Sequence, residues 1–236
     1  MSDTLRLGMS GHHVERPMKE LNKVPSRLPR LTGQIYDGLM EARVMEFQFD
    51  HKLPPDGVMG PHTLVRLHHV ASQASVSKPP TGKAVVVNLD GHPQTVTAYQ
   101  DGRPLPMLDK APCHGGSIDH PSTRGVFQVY ERSRHHTSKI YPEPHDNMQF
   151  AVFYNRMSGE ALHMGPSNLP SHGCIHLETQ TAMPIFHWTA GLDVIVILLG
   201  HTPRVGRGYD IENDTQYRAL VRDLNTRYPG NLKLGE

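Results

Sequence analysis

Between residues 71 and 82 the chain reads "ASQASVSKPPTG", small, polar and proline-rich with no apolar period. Such a stretch is a linker, because it offers little to bury and its prolines disfavour helix. The texture differs on its two sides. Before it, apolar residues recur at helical spacing; after it, they alternate or run together as they do in strands. A chain of 236 residues divided in this way is an α+β multidomain protein, a small three-helix N-terminal domain followed by a larger, mostly β domain.

In the first part, residues 1–70, "VERPMKELN" sets Val14, Met18 and Leu21 on one helix face, and "GLMEARVMEFQFDHKL" does the same with Leu39, Ala42, Met45, Phe49 and Leu53. "PPDGVMGPHTLVRLHHV" then supplies a turn at Asp56-Gly57, a break at Gly60 and a helix opening on Pro61. This segment resembles the peptidoglycan-binding domain found at the ends of many cell-wall hydrolases. The likeness rests on Leu5, Gly8, Gly11, Val14 and Leu21, then on Val44, Phe47-Gln48, Leu53, Asp56-Gly57-Val58, Gly60-Pro61 and Thr63. Most of these positions build turns and core, so the resemblance speaks to fold first and to glycan binding second.

Residues 83–200 carry the strand-like segments "KAVVVNL", "QTVTAYQ", "GVFQVYERS", "FAVFYN", "EALHM" and "LDVIVILL", with tight turns at Asp90-Gly91 and Asp101-Gly102. One helix, about 178 to 190, interrupts them, and the strand density predicts a sandwich or barrel. Residues 201–236 form an extension, a Pro/Gly-rich loop and then a helix with Tyr217, Leu220, Val221 and Leu224 on one face.

Lys plus Arg (24) nearly cancels Asp plus Glu (23), which gives no reason to expect nucleic acid or an anionic membrane as partner. The longest apolar run, "VIVILL", fits a buried strand and is too short for a membrane span. The N-terminus lacks the order of a signal peptide, so the chain is cytosolic, exported by another route, or without its leader. Histidine is abundant at 17, but mostly in loops without repeated ligand spacing.

The chemistry concentrates in "LHMGPSNLPSHGCIHLE", residues 162–178, which holds three histidines and one of two cysteines. Prolines and glycines rule out one long helix there. Four fates are open to Cys174. His163, His172, Cys174 and His176 together number enough ligands for zinc, although their spacing is not that of a zinc ribbon or finger. A disulfide to Cys113 would silence the thiol. A buried inert cysteine is the common outcome. A nucleophile needs a base and an oxyanion stabiliser, because a free thiol is mostly protonated at neutral pH. Here Gly173 allows close backbone approach, and Cys174 is expected to open the helix that "LETQTAMPIFHW" continues, where outward N–H groups and the helix dipole favour thiolate.

"SHGCIHL" resembles the active-site signature of the L,D-transpeptidase catalytic domain (YkuD-type fold), usually Ser/Thr-His-Gly-Cys, an apolar residue, then Arg or Asn. "VVVNLDGHPQTVTAYQDGRPL", "HPSTRGVFQVYERS" and "MQFAVFYNRMSGEALHMGP" extend the likeness over about residues 82–199. The resemblance implies Cys174 as nucleophile, His163 as general base and His172 beside the pair. Gly173 and Cys174 would supply backbone donors, the Met164 carbonyl would orient His163, and Tyr154 and Ser171 would line the pocket. His176 stands where the family has Arg or Asn, at a position tied to substrate-carboxylate recognition, and the loop from His163 to His172 is short, which would trim the lid.

The implied reaction is attack by thiolate on the L-centre carbonyl of the third residue of a peptidoglycan tetrapeptide stem. D-Ala leaves, and the thioester passes to an amine, a D-amino acid or water, with no metal or organic cofactor. The partner is peptidoglycan, peptide stems and glycan, and the place of action the periplasm or cell wall. Alternatives are L,D-carboxypeptidase or D-amino-acid exchange activity of a secreted antibacterial effector, which would have an immunity protein, and a non-catalytic wall-binding protein.

Overall fold

The computed structural model describes residues 4–74 and 79–200; the expected C-terminal helix lies outside them. Three helices form the first part: α1 (His12–Leu21), α2 (Gly38–Asp50) and α3 (Pro61–Gln73). Helix α1 turns Val14, Met18 and Leu21 inward, as the spacing predicts. Asp37 caps α2 by accepting the Met40 N–H, and α3 opens on Pro61, whose missing N–H costs nothing in a first turn. Helix α3 runs to Gln73, into the stretch expected as linker.

Helix α2 has two apolar sides. Met40, Val44 and Phe47 join Val14, Met18, Leu21 and Leu67 in the helical core. Ala42 and Met45, flanked by Leu39 and Phe49, instead meet Ala84, Val126, Ile195, Ile197 and Leu199 of the second part. The stripe legible in the sequence is thus the one that packs on the β domain. Charged residues on so buried a helix need partners. Arg43 donates to the Leu21 and Leu28 carbonyls, and Glu46 accepts from Ser26 and the Arg27 N–H.

The β domain contains β1 (Lys83–Asn88), β2 (Thr95–Gln100), β3 (Arg103–Pro104), β4 (Ala111–His114), β5 (Gly125–Gln128), β6 (Glu131–Ser133), β7 (Ala151–Asn155), β8 (Glu160–Met164), β9 (Ile175–Leu177) and β10 (Val194–Leu199), with α4 (Thr179–Trp188) before the last. Hydrogen bonds order the strands β5-β10-β1-β2-β4-β9-β8-β7-β6, with β3 beside β2. The segment expected as one strand at 125–133 is two, and they lie at opposite ends of this path. Val129 N–H reaches Val194 and Tyr130 N–H reaches Phe153, so a two-residue step carries the chain from one edge to the other and the sheet curls on itself. The enclosed core holds Val85, Val96, Val152, Leu162, Ile175, Val196 and Leu198, covered by Ala182, Ile185 and Phe186 of α4.

The apolar cluster around Leu28 and Met45 is shared by the two parts, which predicts that they unfold as one cooperative unit. Unfolding by denaturant, followed by Trp188 fluorescence and by far-ultraviolet circular dichroism, should give coincident single transitions. Leu28→Ala should lower the unfolding free energy by about 2–5 kcal/mol, the range for emptying a buried leucine site. Two separated transitions would contradict the shared core.

Candidate active site

Strands β8 and β9 are parallel neighbours with Leu162 opposite Ile175, His163 opposite His176 and Met164 opposite Leu177. Side chains alternate along a strand, so one choice fixes both faces. Leu162, Met164, Ile175 and Leu177 fill the core. Ala161, His163, Cys174 and His176 therefore share the other face, where His163, Cys174 and His176 line one cavity of about 50 Å3 with Ser138, Tyr141, Asn147, Met148, Ser171 and His172.

His163 is buried, and its Nδ1 lies 2.9 Å from the Met164 carbonyl. A carbonyl can only accept, so Nδ1 carries the proton and Nε2 keeps its lone pair. Burial lowers the imidazole pKa to about 4, against the opposing pull of that carbonyl. Cys174 packs beside Met148, Ala151, Phe153 and Ala161. Burial pushes its thiol up to about 12; the Ala161 N–H bonded to sulfur lowers it, and the Glu160 carboxylate raises it further. The resting pair is a neutral thiol and a neutral imidazole.

The turn before the sulfur is held from several sides. Ser171 Oγ donates to the Cys174 carbonyl and accepts the Gly173 N–H at 3.0 Å. Ser171 also exchanges backbone bonds with Gly115 and Ser117. Gly173 has φ 115°, a conformation that side-chain-bearing residues avoid, and its carbonyl accepts from Ser122 Oγ at 2.7 Å. Tyr141 stacks on His172 with ring centres 3.7 Å apart, and His120 lies 5.0 Å from the same ring. His176 meets His163 edge-on at 5.0 Å, and its pKa falls well below the ordinary value, mainly through burial and then through His163.

Several expectations need correction. Cys174 does not open a helix: β9 follows it and α4 begins only at Thr179, so no helix dipole acts on the sulfur. The Gly173 N–H, expected as an oxyanion donor, is bonded to Ser171 Oγ in this structure. Tyr154 is a core residue that packs on Phe127 and donates its hydroxyl to Glu160, away from the cavity wall. Met164 contributes its carbonyl, while its side chain lies in the core. Ser138, Tyr141, Asn147 and Met148, between β6 and β7, line the cavity together with Ser171 and His172 from the stretch after His163. His176 lines the cavity as a neutral ring and brings no positive charge for a carboxylate.

Cys113 and Cys174 are both free thiols. Cys113 pairs with Leu177 and points into the core, on the sheet face opposite Cys174. Among the described residues no group of three or more His, Cys, Asp or Glu side chains is placed to hold a metal ion. Glu160, Ser122, Thr123 and Tyr141 join the site without having been singled out. "HPSTRG" carried a signal for the middle two, while nothing in the sequence pattern marks Glu160 or Tyr141.

A thiol raised by burial has a pH signature. In a thiolate–imidazolium pair, alkylation reaches a plateau below neutrality; here thiolate must form by bulk deprotonation. The second-order rate of Cys174 alkylation by iodoacetamide should rise by about tenfold per pH unit from pH 6 toward pH 10. A plateau below pH 8 would show a preformed ion pair instead.

The family model for the L,D-transpeptidase catalytic domain matches residues 82–203, and a peptidoglycan binding domain model matches residues 20–67. No curated protein matches the chain. Among solved structures it is similar to an L,D-transpeptidase from Stackebrandtia nassauensis at 20% identity, covering 87% of this chain and 98% of that one with a TM-score of 0.46. It is similar also to an L,D-transpeptidase from Mycobacterium smegmatis, at 20% identity over 51% and 60% of the two chains with a TM-score of 0.42. A third, from Mycobacterium tuberculosis H37Rv, matches at 21% identity over 54% and 63% with a TM-score of 0.43. The chain thus spans less than two thirds of the mycobacterial ones. With the catalytic-domain model matching over half of its residues behind a peptidoglycan-binding domain, the chain belongs to the YkuD family of L,D-transpeptidases.

Proposed function

We propose that this protein is a cysteine-dependent peptidoglycan L,D-transpeptidase acting on tetrapeptide stems, with Cys174 as nucleophile and His163 as general base. The reading is carried by the placement of Cys174 and His163 on the same face of adjacent strands, in one cavity, with the His163 tautomer fixed so that Nε2 can accept a proton. The peptidoglycan-binding domain supports the same substrate, and the periplasm or cell wall as the place of action.

Because thiol and imidazole rest neutral, proton transfer accompanies attack rather than preceding it. Sulfur bonds to the carbonyl carbon of the third stem residue while His163 Nε2 takes the thiol proton. The C–N bond to D-Ala then breaks, and the imidazolium returns the proton to the departing amine. The thioester is resolved when an amine attacks and loses its proton to His163; the C–S bond breaks, and the imidazolium returns that proton to the departing sulfur, restoring the neutral pair. Water in the amine's place gives an L,D-carboxypeptidase, and a free D-amino acid gives exchange.

The cavity of about 50 Å3 opens to solvent on one side, and Cys174 is part-exposed, so a stem approaches the sulfur from that side. Ser138, Tyr141, Asn147 and Met148 of the segment 134–150 form one wall of the opening. That segment is tied to itself and to β8: Asn147 bonds Ser138 N–H and the Tyr141 carbonyl, His135 bonds Asp146, Met148 N–H reaches the His136 carbonyl, and the Gln149 carbonyl accepts the Met164 N–H.

Incubation with tetrapeptide muropeptides under reducing conditions should release D-Ala and yield a 3–3 linked dimer, both read by mass spectrometry. Cys174→Ala should abolish release, and His163→Ala should lower kcat by about 10²–10⁴-fold. D-Ala release without dimer would assign the carboxypeptidase reaction. Intact tetrapeptide after long incubation would leave a wall-binding protein and sink the enzymatic reading.

A further inference from the structure

Residues 122–124 run from the nucleophile's turn to the helical domain, and each holds a different group. Ser122 Oγ donates to the Gly173 carbonyl at 2.7 Å and accepts the Gly116 N–H at 2.9 Å. Thr123 gives its hydroxyl to Glu160 at 2.6 Å and its N–H to both carboxylate oxygens at 3.3 Å. Tyr154 adds a donor at 3.2 Å. This carboxylate lies against the nucleophile's turn, since a Cβ on Gly173 would sit 3.6 Å from Glu160 Cγ. The next residue, Arg124, reaches out of the β domain and donates to Glu41 of α2 at 2.7 Å.

That ion pair is enclosed, with side chains 25% and 10% exposed. Gly57, at φ 71°, closes over it: a Cβ there would come within 2.9 Å of Glu41 and 3.0 Å of Arg124. The Gly57 carbonyl accepts from Tyr36 and its N–H donates to Gln48, which fixes the turn from the helical side. Charge pairs screened from water hold geometry more tightly than those on an open surface.

We infer that Glu41 and Arg124 are positioning residues for Cys174: the helical domain anchors the strap 122–124, through which Ser122 sets the Gly173 carbonyl and Thr123 sets the Glu160 carboxylate beside the sulfur. The peptidoglycan-binding domain is then part of what shapes the catalytic turn, in addition to any role in holding the wall. The direction of the effect follows from charge. Thr123's donors hold Glu160 in place and offset its negative charge, which opposes thiolate formation at Cys174. A strap released at Arg124 weakens those donors and makes the sulfur less reactive.

The test reads Cys174 directly and needs no turnover. Glu41→Gln and Arg124→Gln should each slow alkylation of Cys174 by iodoacetamide at pH 8 by about three- to tenfold, the size of couplings carried through packed networks. The double variant should be no slower than either single one, because both break the same link. Arg124→Lys, which keeps the charge, should recover most of the rate, and Glu160→Gln should move it the other way. With muropeptide substrate the two Gln variants should lower kcat while leaving KM within about twofold. If the pair only glues the domains, melting temperature falls while alkylation stays at the wild-type rate, and the inference is overturned. Additive effects of the two substitutions overturn it as well. Should Arg124→Gln not fold, Glu41→Gln and Arg124→Lys carry the same comparison. Failure of the wild-type protein to release D-Ala would count against the proposed reaction alone, since alkylation still decides this point.

Discussion

Leu162 faces Ile175 and Met164 faces Leu177 across a parallel strand pair, and that register is what leaves His163 and Cys174 diagonally related on the other surface. The period of a strand is two, so a slip of one residue would send the sulfur into the core and bring Ile175 to the cavity. Parallel neighbours usually need a dozen or more residues to cross over. Here only the stretch between Met164 and Ile175 does so, without a helix. It manages because its ends are pinned: Gly165 N–H bonds the Leu177 carbonyl, and Ser171 is laced to residues 115 and 117 and to the turn it begins. The left-handed backbone of Gly173 completes that turn. What reads in the sequence as a catalytic signature is in large part a set of demands made by a short parallel crossover.

Helix α2 imposes the second constraint. A helix with one apolar stripe can support a domain that swings on a linker; one with two stripes has to be covered on both. Covering the second stripe fixes the helical domain on β5 and β10, and it also carries Glu41 to within reach of Arg124. Domain docking and site geometry are therefore linked through the same helix. A consequence for the proposed reaction is that the wall-binding domain and the cavity keep a set separation, so the protein meets its polymer with both parts in a fixed mutual orientation.

The sequence made the division into helical and β parts legible because periodicity reports burial and the two parts bury their residues at different periods. It also marked the helical stripe Leu39, Ala42, Met45 and Phe49, but spacing says only that a face is covered, not by what. Short strands are illegible for a related reason. Ile175–Leu177 and Ala111–His114 are too brief to establish a period, and "CIHLETQ" reads as the start of the helix that follows. The helix-dipole expectation rests on that reading and falls with it. Cys174, His163 and His172 could be marked because cysteine and histidine are chemically distinctive and clustered. Glu160 could not, because one acidic residue at the start of a strand looks like any solvated charge until Thr123 and Tyr154 are seen to surround it. The same limit applies to Tyr154, two strands from the sulfur, which resembles a pocket position until its hydroxyl is found turned inward to Glu160.

The resting electrostatics and the narrow cavity belong together. Burial holds the imidazole near 4 and the thiol near 12, so proton transfer between them is strongly uphill as long as no charge develops nearby to offset it. Such a pair is poorly reactive toward adventitious electrophiles, an advantage for a thiol that is only part-buried. The 134–150 segment also reaches the turn that carries the sulfur, since its Tyr141 stacks on His172, two residues before Cys174. In the proposed reaction a bound stem fills what water would otherwise enter, and its attacked carbonyl develops the negative charge that offsets the imidazolium. On that reaction, how closely the 134–150 wall packs on the thioester governs whether water or an amine reaches it. The fate of the acyl group is then decided by the self-tied loop rather than by the cysteine–histidine pair.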